Sequence, residues 1–292
     1  MSDRIEYFHA APGSIEQNAC IPMLAVCFDE FVQLRKTYGD IMPFTEESFV
    51  ARCSNGRIAG HAGIMPITVY GNEGKILKLA GIASVAVHPD FRRRGIAAQL
   101  CENAAAWAEE NGFDALPLYT GFNRVYESCC WQNYMTGSVL LTNPCVKEIR
   151  GKSGRELSAS EKEMIISCYE NGAVFPGKTI RSKDQLFHSW ARMFDTQEFT
   201  WHVGDAGYAL EWENTIAEMA GQGNWADLCG GIKMAFLSPW DPCVEKLVSA
   251  GWQVTAQNDN SPVFWHGENA MLRCCKKKTV PEKLFFSLAD KF

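Results

Sequence analysis

The sequence predicts a mixed α/β fold whose sheets combine antiparallel and parallel strands. Three features point there: apolar residues at helical steps, strand-like runs in a meander, and one strand–turn–helix passage crowded with arginine. Residues 13–36 read as helical, because Ile15, Ile21, Leu24, Ala25, Phe28 and Leu34 recur every three or four positions. The runs FVARCSNGRIAGHAGIMPITVY (49–70) and KILKLAGIASVAV (75–87) read as strands around the turn Gly71-Asn72-Glu73-Gly74. Residues 96–111 form a helix by pattern, with Ile96, Leu100, Ala104 and Trp107 on one face and Gly112 as its stop. A strand over 114–120, a short helix from Asn123 to Cys129 and a strand in MTGSVLLT complete the first part.

The polar stretch KEIRGKSGRELSASEKE (147–163) reads as a linker, dividing the chain into units over 1–148 and 158–292. Strand-like and helix-like patterns alternate again beyond it. Seven of the nine tryptophans lie after residue 189, where core and interdomain packing is their expected role. RIAGHAGIM and GYALEWENT sit similarly in the two parts, suggesting a weak long-range repeat.

Bulk composition removes several function classes. With 292 residues, 47% hydrophobic and 21% charged, the chain can bury a sizeable core. Net charge is -6, and both parts are mildly acidic: 13 basic and 16 acidic residues up to residue 150, 15 and 18 after it. Neither part offers the basic surface that tracks a phosphate backbone, so nucleic acid is not an expected partner. The twelve cysteines include no Cys-x-x-Cys, and the adjacent pairs Cys129-Cys130 and Cys274-Cys275 cannot jointly hold one zinc, so no metal is implied. The opening MSDRIEYFHAAPG lacks a signal-peptide pattern, and no apolar run approaches the roughly 20 residues that span a bilayer. A cytoplasmic protein with reduced, mostly buried thiols is the expectation, and the reading admits an oligomer.

Chemistry concentrates in SVAVHPDFRRRGIAAQL. A strand ends at Val87, the chain turns at Pro89, and Arg92-Arg93-Arg94-Gly95-Ile96-Ala97 leads into a helix. The first N–H groups of that helix lack intrahelical acceptors and face the positive end of its dipole. Such a site holds phosphate or pyrophosphate, and arginines add charge-assisted bonds. GNEGK (71–75) does not satisfy a Walker loop, and no Gly-x-Gly-x-x-Gly follows a strand.

These residues resemble the acetyl-CoA signature of the GNAT superfamily of N-acyltransferases. The resemblance implies that Val85, Ala86 and Val87 bond the pantetheine arm. It likewise makes Arg92, Arg93, Arg94, Gly95, Ile96 and Ala97 the loop that grips the CoA pyrophosphate. It places Asn123 and Tyr126, in GFNRVYESCCW, at the family's Asn and Tyr positions, while Cys130-Trp131 replaces the usual Gly-Phe. More broadly the chain resembles tandem enzymes of the enhanced-intracellular-survival type, with the acyl-CoA N-acyltransferase fold twice in succession. The second unit here lacks Arg-x-x-Gly-x-Ala, so it is not expected to bind CoA in the usual way. The length leaves no room for the third, sterol-carrier-like domain of those enzymes.

The implied activity is direct transfer of an acetyl group from acetyl-CoA to a primary amine of a small molecule or peptide. A non-catalytic acyl-CoA-binding module, or an acyltransferase with another donor, are the alternatives. A lysine-like amine with a pKa near 10.4 costs about 4–5 kcal/mol to deprotonate at pH 7, at about 1.36 per unit, so a base is needed. By resemblance Tyr126 is the acid for the leaving thiolate and the terminal carboxylate of Phe292 is the base. Glu127, Glu30 and His88 compete for the latter role.

Overall fold

The computed structural model describes residues 4–42, 47–188, 199–258, 267–275, 278 and 284–290. In chain order it opens with β1 (Ile5–Ala10), three short helices, α1 (Ile15–Asn18), α2 (Ile21–Cys27) and α3 (Asp29–Tyr38), then β2 (Glu47–Cys53). The long strands β3 (Ile58–Tyr70) and β4 (Ile76–Val87) lead to α4 (Ile96–Glu110), β5 (Ala115–Thr120), α5 (Asn123–Glu127), β6 (Gln132–Asn133) and β7 (Ser138–Thr142). Then come α6 (Ala159–Glu170), α7 (Lys183–His188), β8 (Phe199–Val203), β9 (Gly207–Trp212) and β10 (Thr215–Gly221). The order closes with α8 (Trp225–Leu228), β11 (Met234–Leu237), α9 (Cys243–Ser249), β12 (Gln253–Asn258) and β13 (Asn269–Cys274).

Two mixed sheets result. The first runs β1-β2-β3-β4-β5-β13-β6, the second β12-β7-β11-β10-β9-β8. Each half of the chain lends the other a strand. β13, from late in the chain, pairs antiparallel with β5 from Asn269↔Thr120 to Cys274↔Ala115, and also pairs with β6. β7, from early in the chain, lies between β11 and β12. β3 and β9 hold matching places, each antiparallel to the strand whose other neighbour is parallel, as the weak repeat suggested.

One face of the first sheet carries α4, which buries Ile96, Leu100, Cys101, Ala104, Ala105 and Ala108. Alanines keep that face flat, and Gly60 on β3 completes the fit: a Cβ there would stand 2.9 Å from Ile96 Cγ2. Truncating a fully buried side chain such as Leu100 to Ala costs about 2–5 kcal/mol. A second cluster joins Ile21, Leu24, Phe31 and Leu34 to Val50 and Ala86. The sheets meet over a shared core in which Val69, Leu77 and Leu79 join Tyr208, Leu210 and Phe236, with Leu284–Phe286 packed into it.

The helical pattern over 13–36 is real but broken twice. Pro22 sits in the first turn of α2, and Phe28 is extended (φ -139°, ψ 128°) between α2 and α3. Within the polar stretch 147–163, Ser153 with Glu156 and Ser158 with Glu161 form successive capping boxes, the second opening α6. Lys152 also bridges to Trp201. The serines and glutamates that suggest slack chain are helix-start signals there. Trp201, Trp225 and Trp252 are buried in core clusters; Trp190 and Trp265 lie outside the described residues.

Candidate active site

The site begins with two strands that part. β4 and β5 run parallel and share one paired position, Leu79↔Ala115; beyond it no ladder joins them. β4 also bulges: His61 pairs with Ala86 and Gly63 with Ala83, so Ser84 and Val85 together oppose Ala62. A bulge bends its strand and re-aims the backbone beside it, here in the stretch of β4 that has already left β5.

A buried polar chain holds the bulge. Ser84 has a positive φ of 51°, a conformation costing a non-glycine residue roughly 1–2 kcal/mol. Its carbonyl lies 2.9 Å from Nδ1 of His61, and Nε2 of His61 lies 2.9 Å from the Ser48 hydroxyl. A carbonyl only accepts, so Nδ1 carries the proton and Nε2 accepts from Ser48. Gln17 donates to the same hydroxyl at 3.1 Å and accepts from the Gly13 N–H at 2.7 Å. Burial lowers the His61 pKa to about 4, against the smaller opposing effect of the Ser84 bond, so the ring is neutral at pH 7. Sequence reading missed this chain; a histidine inside the apolar run AGHAGIM was its only signal.

The loop after β4 turns through Pro89–Phe91, anchored by the buried Phe91 ring. The Arg57 and Arg94 guanidinium groups lie over that ring at 5.1 and 5.3 Å. Arg57 also pairs with Asp90 at 2.7 Å, which holds that carboxyl below its ordinary range. Arg92 donates from Nε to the Val87 carbonyl (3.1 Å), and Arg94 donates to the Asp90 carbonyl (3.3 Å). Arg93, with φ of 63°, makes no hydrogen bond or ion pair with a described residue. Gly95 caps α4 in the left-handed conformation (φ 74°), and no heavy atom lies within 4 Å of where a Cβ would stand. All three arginines and Gly95 are exposed, Ala97 is half-buried and Ile96 is buried. The loop therefore combines an open backbone, helix N–H groups without acceptors and one uncommitted guanidinium, which suits an anion.

Of the remaining predicted residues, Val85, Val87 and Tyr126 pack against one core cluster that includes Ile96. Val85 and Val87 are half-buried and Ala86 is buried. Tyr126 packs edge-on against Trp131 at 6.2 Å, with Thr120 at the end of β5 nearby. Burial, with the neighbouring Cys101 and Cys129, pushes its phenol well above the usual tyrosine range, so it keeps its proton. Asn123 is spoken for: it donates to Asn133 at 3.1 Å and accepts from Asn269 at 3.0 Å, pinning α5 to β6 and the exchanged β13. Glu30 and Glu127 are exposed, and His88 Nδ1 accepts from the Asp90 N–H at 3.2 Å. Phe292 lies outside the described residues.

Residues 21–129 match the model of the Acetyltransferase (GNAT) family. That segment, from α2 through α5, holds the arginine loop and its flanking strand and helix, and it is the part of the chain that carries the family likeness. Solved structures extend the likeness of fold over nearly the whole chain. A probable N-acyltransferase of unknown function from Enterococcus faecalis is 16% identical, covers 94% of this chain and 73% of its own, and has a TM-score of 0.60. A GCN5-related N-acetyltransferase from Kribbella flavida is 17% identical over 92% of this chain and 71% of its own, at 0.58. Eis1 from Mycobacterium abscessus is 14% identical over 92% and 74%, at 0.55. No curated protein matches the sequence. Both sheets thus belong to a fold shared with these longer chains. Among its described residues no helix is long and apolar enough to cross a membrane.

Proposed function

We propose that the protein is an N-acetyltransferase that takes its acetyl group from acetyl-CoA and passes it directly to a primary amine of a small molecule or peptide. The observation that carries the reading is the open left-handed Gly95 at the start of α4, one turn beyond a bulged, unpaired strand edge. In this reading Arg93 and the first N–H groups of α4 bind the pyrophosphate. Arg92 and Arg94, held by their own loop, shape the turn and add charge. The free edge of β4 at Val85–Val87 bonds an extended arm as a further strand would, and amides at the bulge offset charge gained by the acyl oxygen. Asn123 acts as a clamp within the protein rather than as a ligand. Tyr126, kept protonated by burial, donates to the departing sulfur. The second half, lacking Arg-x-x-Gly-x-Ala, reads as an acetyltransferase-like unit without a donor loop.

The test mixes protein, acetyl-CoA and a panel of amines and follows free thiol. Thiol release that needs both an amine and an intact Gly95 is the expected result. Gly95→Glu places a side chain and a negative charge against the phosphates, and CoA affinity should fall at least 100-fold. Unchanged affinity in that variant would overturn the loop assignment.

A further inference from the structure

We propose that the second half of the chain binds a small organic acid, an anionic head on an extended apolar chain, in a cavity between β10 and β11. These strands run parallel and pair at Thr215↔Met234 and Ile216↔Ala235. The next residue, Ala217, is the extra residue of a bulge in β10, after which no ladder joins the two. A cavity of about 590 Å³ opens there, closed by the last turns of α6 and the start of α9. That volume lies within the range of sites for small molecules, about 300–1,000 Å³.

The charges lining the cavity specify the sign of its occupant. Glu218 is already engaged: one oxygen accepts from Arg181 at 2.6 Å and the other from the Tyr208 hydroxyl at 2.8 Å. Two lysines donate only to neutral oxygens and lie over the Tyr169 and Trp225 rings at 5.1 and 5.9 Å. Lys178 Nζ donates to the Tyr169 carbonyl at 3.2 Å, and Lys246 Nζ donates to the Gly221 carbonyl at 2.7 Å. Neither has a described carboxylate within 4 Å. Burial pulls the Lys178 ammonium below the ordinary lysine range, against the smaller opposing effects of Glu218 and Asp241. Against these stand Asp205, exposed at the rim, and Asp241. Asp241 accepts from the Cys243 N–H at 2.8 Å and is driven toward its neutral form by burial. An anion beside Lys178 and Lys246 offsets the cost of holding cations in a partly desolvated site.

The walls specify the rest. Met219, Leu237 and Phe285 offer an apolar lining for a chain. The turn Gly221-Gln222-Gly223-Asn224 leads into the four-residue α8 and carries no guanidinium, so an intact CoA pyrophosphate has no grip there.

Calorimetry with octanoate and with 4′-phosphopantetheine tests the proposal and separates a carboxylate head from a phosphate head. Every titration contains saturating acetyl-CoA, so the Gly95 loop is not being read, and octylamine serves as the probe of opposite charge. At least one acid should bind, with affinity falling tenfold or more in Lys246→Met and again in Lys178→Met. Lys246 is half-buried on the short α9, so the reversal Lys246→Glu gives a second reading: acid binding lost and octylamine binding gained. No binding of either acid, acid binding unchanged in the variants, or equal binding of octylamine by the native chain would each overturn it. Acetyl-CoA affinity stays constant across these variants if the proposal alone fails, whereas failure of the donor reading appears in Gly95→Glu.

Discussion

In the first sheet β4 and β5 share one paired position before they part; in the second, β10 and β11 share two. Each departing strand carries a bulge beyond its last paired position, five residues on at Ser84–Val85 and immediately after it at Ala217. The endings differ. β4 leads through three arginines and a left-handed Gly95 into a fifteen-residue helix, while β10 leads through Gly-Gln-Gly-Asn into a four-residue one. In the two proposals a parted strand pair makes a slot for an extended molecule, and the loop that follows decides which anion anchors it. The dipole effect acts on the first turn of a sustained helix and adds little at a single turn. One sheet geometry can therefore serve two chemistries, with the discrimination placed outside the sheet.

The comparison can be broken most drastically by cutting the chain. A fragment ending at residue 148 loses β13 from between β5 and β6, and strands β8–β12 from around β7. Urea titration followed by circular dichroism should then show no cooperative transition. A fragment that unfolds cooperatively and binds CoA would show that the first sheet stands alone. Next in size is Tyr126→Phe, expected to lower kcat about 10²–10³-fold with KM for acetyl-CoA within about twofold. Undiminished kcat would remove the phenol from proton transfer.

A third prediction separates the bulges, because only the first rests on a histidine. With its pKa at about 4 in the folded chain and about 6.5 unfolded, His61 takes up its proton more readily when unfolded. Its contribution is whole above about pH 6.5 and is lost as pH falls toward 4, about 3 kcal/mol in all. The urea midpoint should drop between pH 7 and 5, and His61→Gln should flatten that part of the profile; an identical profile in the variant would reject the assignment. The smallest effect concerns single charges. Arg93→Ala should weaken CoA binding about 3–10-fold and reduce its salt dependence, while Lys246→Met leaves it unchanged. Equal effects from the two would erase the distinction between the halves.

What was legible in the sequence was local. The arginine loop stands out because strand end, proline turn, arginines, glycine and helix start are contiguous, and α4 follows its apolar spacing almost to the residue. The breaks at Pro22 and Phe28 were hidden by continuous periodicity, although proline in a first turn is a known start signal. Long-range pairing leaves no such trace. Nothing in Asn269–Cys274 states that its partner is β5, and nothing in Asn123 states that Asn269 will occupy its amide.

The exchanged strand also sets a clock on the birth of the protein. Ala115 pairs with Cys274, so β5 leaves the ribosome roughly half a chain length before the neighbour that completes its edge. At about 5–20 residues per second that wait is on the order of ten seconds. During it, a buried-type strand, ALPLYT, shows an unpaired rim to the cell. Nascent chains stalled between residues 148 and 268 are therefore the species in which chaperone capture or mispairing concentrates.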